Sequence, residues 1–383
     1  MKAAGLILWA TLTAASAGAA DYEPVRCGHV APYAGVGVHA SATAEDFQSR
    51  GSLDGVLNPQ TVARLQAAFD RGLAASPGVK AITVAVAVPG GGVWTVQRPA
   101  ANDPPAPLYW WASAGKMFTA ATILQLADEG KLSLSDPVSK WIGGVPNGEV
   151  VTVEHLLNHT SGLFSANEDL VVRREDRPLS FEDRLKVAAR HGAMFCPGER
   201  WRYSNTGYDL LGRIIEKVDG RPYAEAVTAR IVTPLGLKST RILTQGGPAA
   251  DLAAILPPGA TKPFDPTQPG PAGAVVASSP DMIAFLQALL GARVLKPETT
   301  ASLLRTPYPM FDPGTFYGLG LMLYDIPARP SNLYWIGHSG GAPGVAAQVA
   351  WSPRDKAFVA VALTGEGAPA AFANALIKAV AAP

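Results

Sequence analysis

Strand-forming segments sit at the two ends of this chain and helix-forming segments lie between them, and that distribution restricts the fold more than any other feature. Residues 81–88 are β-branched and alternating, Pro89-Gly90-Gly91-Gly92 makes a turn, and 93–97 returns, so the pattern predicts a β-hairpin. Strand character comes back at 317–324, 333–336, 346–351 and 357–363, with turns such as Ser352-Pro353-Arg354-Asp355 between. Short strands joined this way form an antiparallel meander. The expectation is one antiparallel sheet built from about 80–100 and 314–383, with a mainly helical region at about 113–310 inserted. That is an α/β chain of the α+β type.

Helices are expected at 60–73, at 113–129 with Gly130 as C-cap, at 210–218 ending at Gly220, and at 369–380. Ser279-Pro280 reads as an N-cap with proline at the first helical position of 281–290. Residues 257–271 read as a surface loop, and no internal repeat is evident.

Residues 1–20 carry one positive charge at Lys2, an apolar run and a small-residue end before Asp21, the parts of a secretory signal peptide. The apolar run is short of the roughly 20 residues that span a bilayer. The expectation is export to a periplasmic or secreted location, with 21–383 as one domain and no membrane span once the leader is gone. The chain has 32 basic and 31 acidic side chains, a net charge of +1, and without Lys2 the two balance. No cluster of Lys and Arg appears, which argues against nucleic-acid binding. An exported chain enters a disulfide-permissive space. Its two cysteines, Cys27 and Cys196, therefore fit either a bridge or two free thiols.

Ser113-Ala114-Gly115-Lys116 puts a serine and a lysine three apart at the start of a predicted helix, so both share one face. A serine hydroxyl is a poor nucleophile until a base takes its proton, and a desolvated lysine amine of lowered pKa can do so. The helix N-terminus adds positive partial charge beside a developing oxyanion. Taken alone the tetrad also fits an N-cap and a solvated lysine. Tyr203-Ser204-Asn205 and His338-Ser339-Gly340 follow in order along the chain.

With these three motifs the chain resembles the serine β-lactamase and penicillin-binding family, in the branch of class C β-lactamases, DD-carboxypeptidases and related esterases. Further matches are 156–163 (Leu-Leu-Asn-His-Thr-Ser-Gly-Leu), 233–240 (Thr-Pro-Leu-Gly-Leu-Lys-Ser-Thr) and Gly340-Gly341-Ala342-Pro343-Gly344. The resemblance runs from about residue 80 to the end and implies a β-lactamase/transpeptidase-like fold. It implies Ser113 as nucleophile, with Lys116 and Tyr203 sharing the proton transfers, and Asn205 on the acyl-side amide of the substrate. The N–H groups of Ser113 and Gly341 would form the oxyanion hole, and His338, Ser339 and Gly340 the opposite wall. No metal or organic cofactor is implied. The partner would be a small molecule or peptide, such as a cell-wall peptide. Where class C enzymes carry Lys-Thr-Gly, this chain has a histidine, a group titrating near ~6.5 in place of a permanent cation. D-amino-acid peptide or ester hydrolysis is therefore expected ahead of β-lactam hydrolysis, with an inactive penicillin-binding scaffold as a further alternative.

Two rival constellations are weaker. Gly337-His338-Ser339-Gly340-Gly341 matches the nucleophile elbow of α/β-hydrolases, but no histidine follows Ser339 to serve as base. His155 and His159 have helical metal-ligand spacing but lack a glutamate between them, and a structural role for both is expected.

Overall fold

The computed structural model describes residues 22–47, 51–174, 179–247, 250–327 and 333–381; the expected leader lies outside them. Helix α1 (Pro59–Ala74) leads into the hairpin β1 (Val79–Val88) and β2 (Gly92–Arg98). Asn58 caps α1 by accepting from the N–H of Thr61. The strand β1 is buried along nearly its whole length because both sheet faces are covered. Ile82, Val84 and Val86 pack with Leu65 and Phe69 of α1 and with Phe372, Leu376 and Ile377 of the C-terminal helix. Their neighbours Ala81, Thr83, Ala85 and Ala87 face the other way, where helix Ser279–Leu290 lies close enough for Thr83 and Ser279 to share a hydrogen bond of 3.0 Å. Large and small side chains thus alternate with the pleat, one set for each covering layer.

Three short strands, β3 (Tyr109–Trp110), β4 (Thr240–Ile242) and β5 (Val275–Ala277), form a small separate sheet that periodicity did not announce. It clamps the chain just ahead of Ser113. The N–H of Trp111 donates to Val275 O at 3.0 Å and its indole N–H to Ala277 O at 3.0 Å. The remaining strands are β6 (Tyr308–Pro309), β7 (Thr315–Tyr317), β8 (Met322–Ile326), β9 (Leu333–Ala342), β10 (Val345–Ser352) and β11 (Ala357–Gly365). The large sheet is antiparallel throughout, in the order β2-β1-β11-β10-β9-β8-β7-β6, so the two chain ends pair through β1 and β11 as expected.

Three expectations need correction. The run 317–324 is two strands, not one, because the backbone bends at Gly318 and Gly320. A Cβ on Gly318 would stand 2.1 Å from Leu303 O, and Gly320 adopts φ +78°. The cap before 281–290 is Ser278, one residue earlier than expected, with Pro280 inside the first turn. The 257–271 segment is not simply a surface loop. Phe264 stacks on Trp110 at 5.2 Å and the segment ends in a buried turn at Ala272.

Three helices of the inserted region carry or support the site: α2 (Lys116–Asp128), α3 (Phe181–His191) and α4 (Asn205–Asp219). Ser204 caps α4, and left-handed Gly220 (φ 77°) ends it. Cys27 and Cys196 are joined in a disulfide. The bridge anchors an N-terminal strap whose N–H groups at Val25, Ala31 and Ala34 donate to Ala193, Pro197 and Glu199. Further on, the strap reaches the sheet edge, where the N–H groups of His39 and Ala42 donate to Pro307 and Leu304.

Candidate active site

Ser113 stands in a 3₁₀ turn, Ala112–Gly115, at the entrance to α2. Ala112 takes φ +46°, a left-handed conformation that a non-glycine residue adopts only when its surroundings impose it. Lys116 begins α2 and is 0% exposed. Its Nζ lies 3.2 Å from Ser113 Oγ, 2.7 Å from Asn205 Oδ1 and 2.6 Å from Ala272 O. Burial lowers its pKa to about 7, with the charge of Asp209 acting in the opposite sense. A neutral amine has two N–H donors and one lone pair. The two carbonyl-type acceptors match the donors, and the lone pair is left for the hydroxyl of Ser113.

Tyr203 lies in sequence between Cys196 and α4, with its hydroxyl buried and directed at the Ser113 side chain, outside strict hydrogen-bond geometry. Burial raises its pKa well above the ordinary phenol range, and the neighbouring Ser113 lowers it only in part. It is therefore a neutral phenol at neutral pH. Its ring is held by His159, at 4.3 Å between centroids. His159 also receives the N–H of Ser204 on Nδ1 at 3.2 Å and that of Arg202 on its carbonyl at 2.9 Å, so it braces both sides of Tyr203. Trp201 and the 64%-exposed Phe311 meet edge to face at 5.2 Å and continue an aromatic wall outward from Tyr203.

Asn205, the first residue of α4, spends Oδ1 on Lys116 and donates Nδ2–H to Asn167 Oδ1 at 2.9 Å. Ser165 donates to the same Asn167 oxygen at 2.6 Å and accepts the N–H of Asn205 at 2.9 Å. Ser165 and Asn167 were missed because they lie just past the motif-like stretch that ends at Leu163. Ala272 was missed because a backbone carbonyl has no sequence signature.

The strand wall differs from expectation in one residue. His338 is 0% exposed and does not face the cleft as a titrating group. Its Nδ1 lies 2.5 Å from Ser339 O and its Nε2 3.0 Å from the Tyr317 hydroxyl. Burial holds its pKa at about 3; the bond to Ser339 raises it and the nearby Lys116 lowers it further. The imidazole is uncharged throughout the neutral range, so it offers no charge switch near ~6.5. Strand alternation turns it inward, toward Tyr317. Ser339, half-buried, sets its hydroxyl 3.5 Å from Met322 Sδ. Gly340 lies against the nucleophile turn: a Cβ there would stand 2.2 Å from Trp111 O and 3.0 Å from Ser113 N. The missing side chain is what lets β9 run beside Ser113.

Both rivals acquire structural explanations. Ser339 pairs with Gln348 inside an antiparallel ladder and is not on a strand-to-helix turn. His155 accepts the N–H of Thr152 on Nδ1 in a capping box, while His159 holds the Tyr203 segment.

Residues 65–382 match the model of the family described as Beta-lactamase. Penicillin-binding protein 4* of Bacillus subtilis (strain 168) is 40% identical over 144 residues, covering 35% of this chain and 30% of that protein. This chain spans between 28% and 56% of the length of the first curated relatives it matches. Among solved structures, the D-stereospecific amidohydrolase from Streptomyces sp. superposes with a TM-score of 0.67 at 29% identity, covering 83% of this chain and 97% of that one. The D-amino acid amidase from Ochrobactrum anthropi SV3, complexed with L-phenylalanine amide, superposes with a TM-score of 0.74 at 25% identity, covering 84% and 98%.

Proposed function

From the premise that this chain belongs to the beta-lactamase family and is a serine acyl-transfer hydrolase, we propose that it cleaves D-amino-acid amides, peptides or related esters through an acyl-enzyme on Ser113. The observation that carries this reading is the valence of Lys116, whose two donors are spent on Asn205 and Ala272 while Ser113 Oγ stands at 3.2 Å. The neutral amine takes the serine proton as Oγ attacks the carbonyl. The Tyr203 phenol gives its proton to the departing amine or alkoxide and recovers one from the Lys116 ammonium. The backbone N–H groups of Ser113, at the turn that opens α2, and of Gly341, on β9, stabilise the oxyanion. Water then repeats the sequence on the acyl group, and the ester bond to Oγ breaks.

The D-amino-acid preference is supported by the D-stereospecific amidohydrolase and the D-amino acid amidase that this chain resembles over most of its length. An uncharged His338 gives a carboxylate-bearing β-lactam no cation at that wall, which ranks β-lactam hydrolysis second. Export is part of the proposal. Support comes from the leader-like residues 1–20 and from a disulfide, which persists in oxidising compartments.

Intact mass after brief exposure to benzylpenicillin, wild type beside Ser113→Ala, tests the nucleophile, and release of ammonia from D- and L-phenylalanine amide tests the substrate. The expected result is turnover of the D-amide by wild type alone. Turnover surviving in Ser113→Ala overturns the mechanism, whereas faster hydrolysis of penicillin than of any amide or ester replaces the amidase reading by a β-lactamase one.

A further inference from the structure

Asp209 belongs to none of the motifs, yet it lies inside the machinery. It follows Asn205 by one turn of α4, so it projects from the same helical face as the amide that holds Lys116. Its carboxyl group is 3% exposed. One oxygen, Oδ2, is 2.9 Å from Arg184 Nε of α3, and the other, Oδ1, is buried with no hydrogen-bond partner. An unpartnered buried carboxylate oxygen is expensive, and burial of such a group persists where something else is gained.

The surroundings indicate what is gained. Arg184 donates through Nη1 to Leu179 O at 2.7 Å and to Gln268 O at 3.3 Å, so the pair grips the segment leading to Ala272. Within that segment left-handed Gly270 (φ +51°) passes directly over the pair: a Cβ there would stand 3.4 Å from Arg184 Nη2 and 3.8 Å from Asp209 Oδ1. Two residues later, the Ala272 carbonyl accepts from Lys116. Asp209 and Arg184 thus brace the segment that carries one acceptor of the lysine, Ala272, while Asp209 shares its helix with the other, Asn205.

We propose that Asp209, braced by Arg184, is a positioning residue that holds in place the segment carrying the Ala272 acceptor of Lys116 and supplies the negative charge that faces Arg184 and the ammonium form of Lys116. The proposal rests on the reading of Lys116 as the base for Ser113. Without Asp209, Arg184 and a protonated Lys116 would be like charges in a poorly solvated interior, and the lysine would stay neutral to lower pH. The other groups facing the amine do not titrate near neutrality. Tyr203 is raised by burial, and His159 and His338 are lowered by it. Tyr208, whose ring lies 5.3 Å from Nζ, is also raised by burial. Lys116, at about 7, and Asp209, raised by burial to about 6 against the pull of Arg184 and Lys116, are the pair whose charges respond to each other.

The experiment is the pH profile of single-turnover acylation for wild type, Asp209→Asn and Asp209→Glu, each checked for folding by its thermal transition. The limb on which acylation is lost as pH falls should move down by about one unit in Asp209→Asn and return toward wild type in Asp209→Glu. A uniform fall in rate with the limb unmoved overturns the proposal, because a merely structural role would do only that. If Asp209→Asn does not fold, the reciprocal measurement decides. The 13C carboxyl resonance of Asp209 should titrate at higher pH in Lys116→Met than in wild type, since the cation that stabilises its ionised form is gone. Equal titration in the two proteins overturns the proposal. This readout needs no turnover, so a wild type that forms no acyl adduct defeats the nucleophile reading while leaving the coupling to stand or fall separately.

Discussion

The two walls of the site do their work by opposite means. On the helical wall, the proposed function rests on side chains: Lys116 is bonded to Ser113, Asn205 and Ala272, Asn205 in turn to Asn167, and the Tyr203 ring lies 4.8 Å from the lysine Nζ. On the strand wall, function lies in the backbone and in the absence of a side chain at Gly340, while His338 is turned inward and held neutral. One wall is sensitive to chemistry and the other to volume. Lys116→Met should break the first most severely, lowering acylation by about 10²–10⁴-fold with little change in thermal stability. Rapid-quench mass measurement of the acyl-enzyme checks this, and a loss smaller than about tenfold would give the base role to another group.

The second wall should discriminate between adjacent glycines. A Cβ at Gly340 collides with the Trp111 carbonyl, whereas one at Gly341 meets nothing nearer than Val345 O at 3.7 Å. Gly340→Ala should therefore push β9 off the nucleophile turn and lower kcat on the order of 10²-fold. Gly341→Ala should stay close to wild type. Equal effects at both positions would mean that the wall is not set by this close approach.

The difference between the walls also explains what was legible in the sequence. Ser113 and Lys116 stand out because their chemistry is local, a serine and a lysine on one turn, whereas Tyr203 and Asn205 were legible only through the family resemblance. The sheet was legible from both ends because β1 and β11 alternate so strongly. What could not be read depends on register or on tertiary burial. Whether His338 faces the cleft or the core is decided by its pairing with Val349 and by Tyr317, neither of which its own motif reveals. Asp209 lies in none of the motifs and one residue before the helix expected at 210–218, and only the fold sets Arg184, far back in sequence, beside it. The break at 318–320 was hidden because the apolar run continues through it, although two glycines marked the bend.

Burial of uncharged imidazoles gives the strand wall and its neighbourhood a pH signature in stability. His338, at about 3, and His155, at about 4, lie below the ordinary value near ~6.5, and His159 is lowered well below it too. A lowered histidine binds its proton more readily in the unfolded chain, so its contribution is complete above ~6.5 and is lost as pH falls toward the folded value. Each contributes up to about 1.4 kcal/mol per pH unit across that window. Asp209 opposes them: its raised pKa means that stability falls as pH rises from about 4 toward 6. Thermal transitions measured between pH 4 and 7 should therefore fall on acidification, and His338→Gln should flatten the slope by about one proton. An unchanged slope would mean that His338 binds its proton as readily in the folded protein as in the unfolded chain.

The smallest effect on chemistry is expected where the two walls are tied together. The strap from Val25 to Ala42 is bonded to 193–199 on the helical side and to 304–307 at the sheet edge, and the Cys27–Cys196 bridge fixes only its first end. Cutting the bridge in the double variant Cys27→Ser and Cys196→Ser removes a constraint on the unfolded chain, worth about 2–5 kcal/mol. Tyr203 has its own supports: His159 accepts from the N–H groups on either side of it, and Ser204 caps α4. The transition temperature should therefore drop by several degrees while kcat and its pH profile change little. If kcat instead falls as far as in Gly340→Ala, the strap is part of the catalytic geometry, and the contrast between a wall of chemistry and a wall of volume gives way to a single frame clamped at the disulfide.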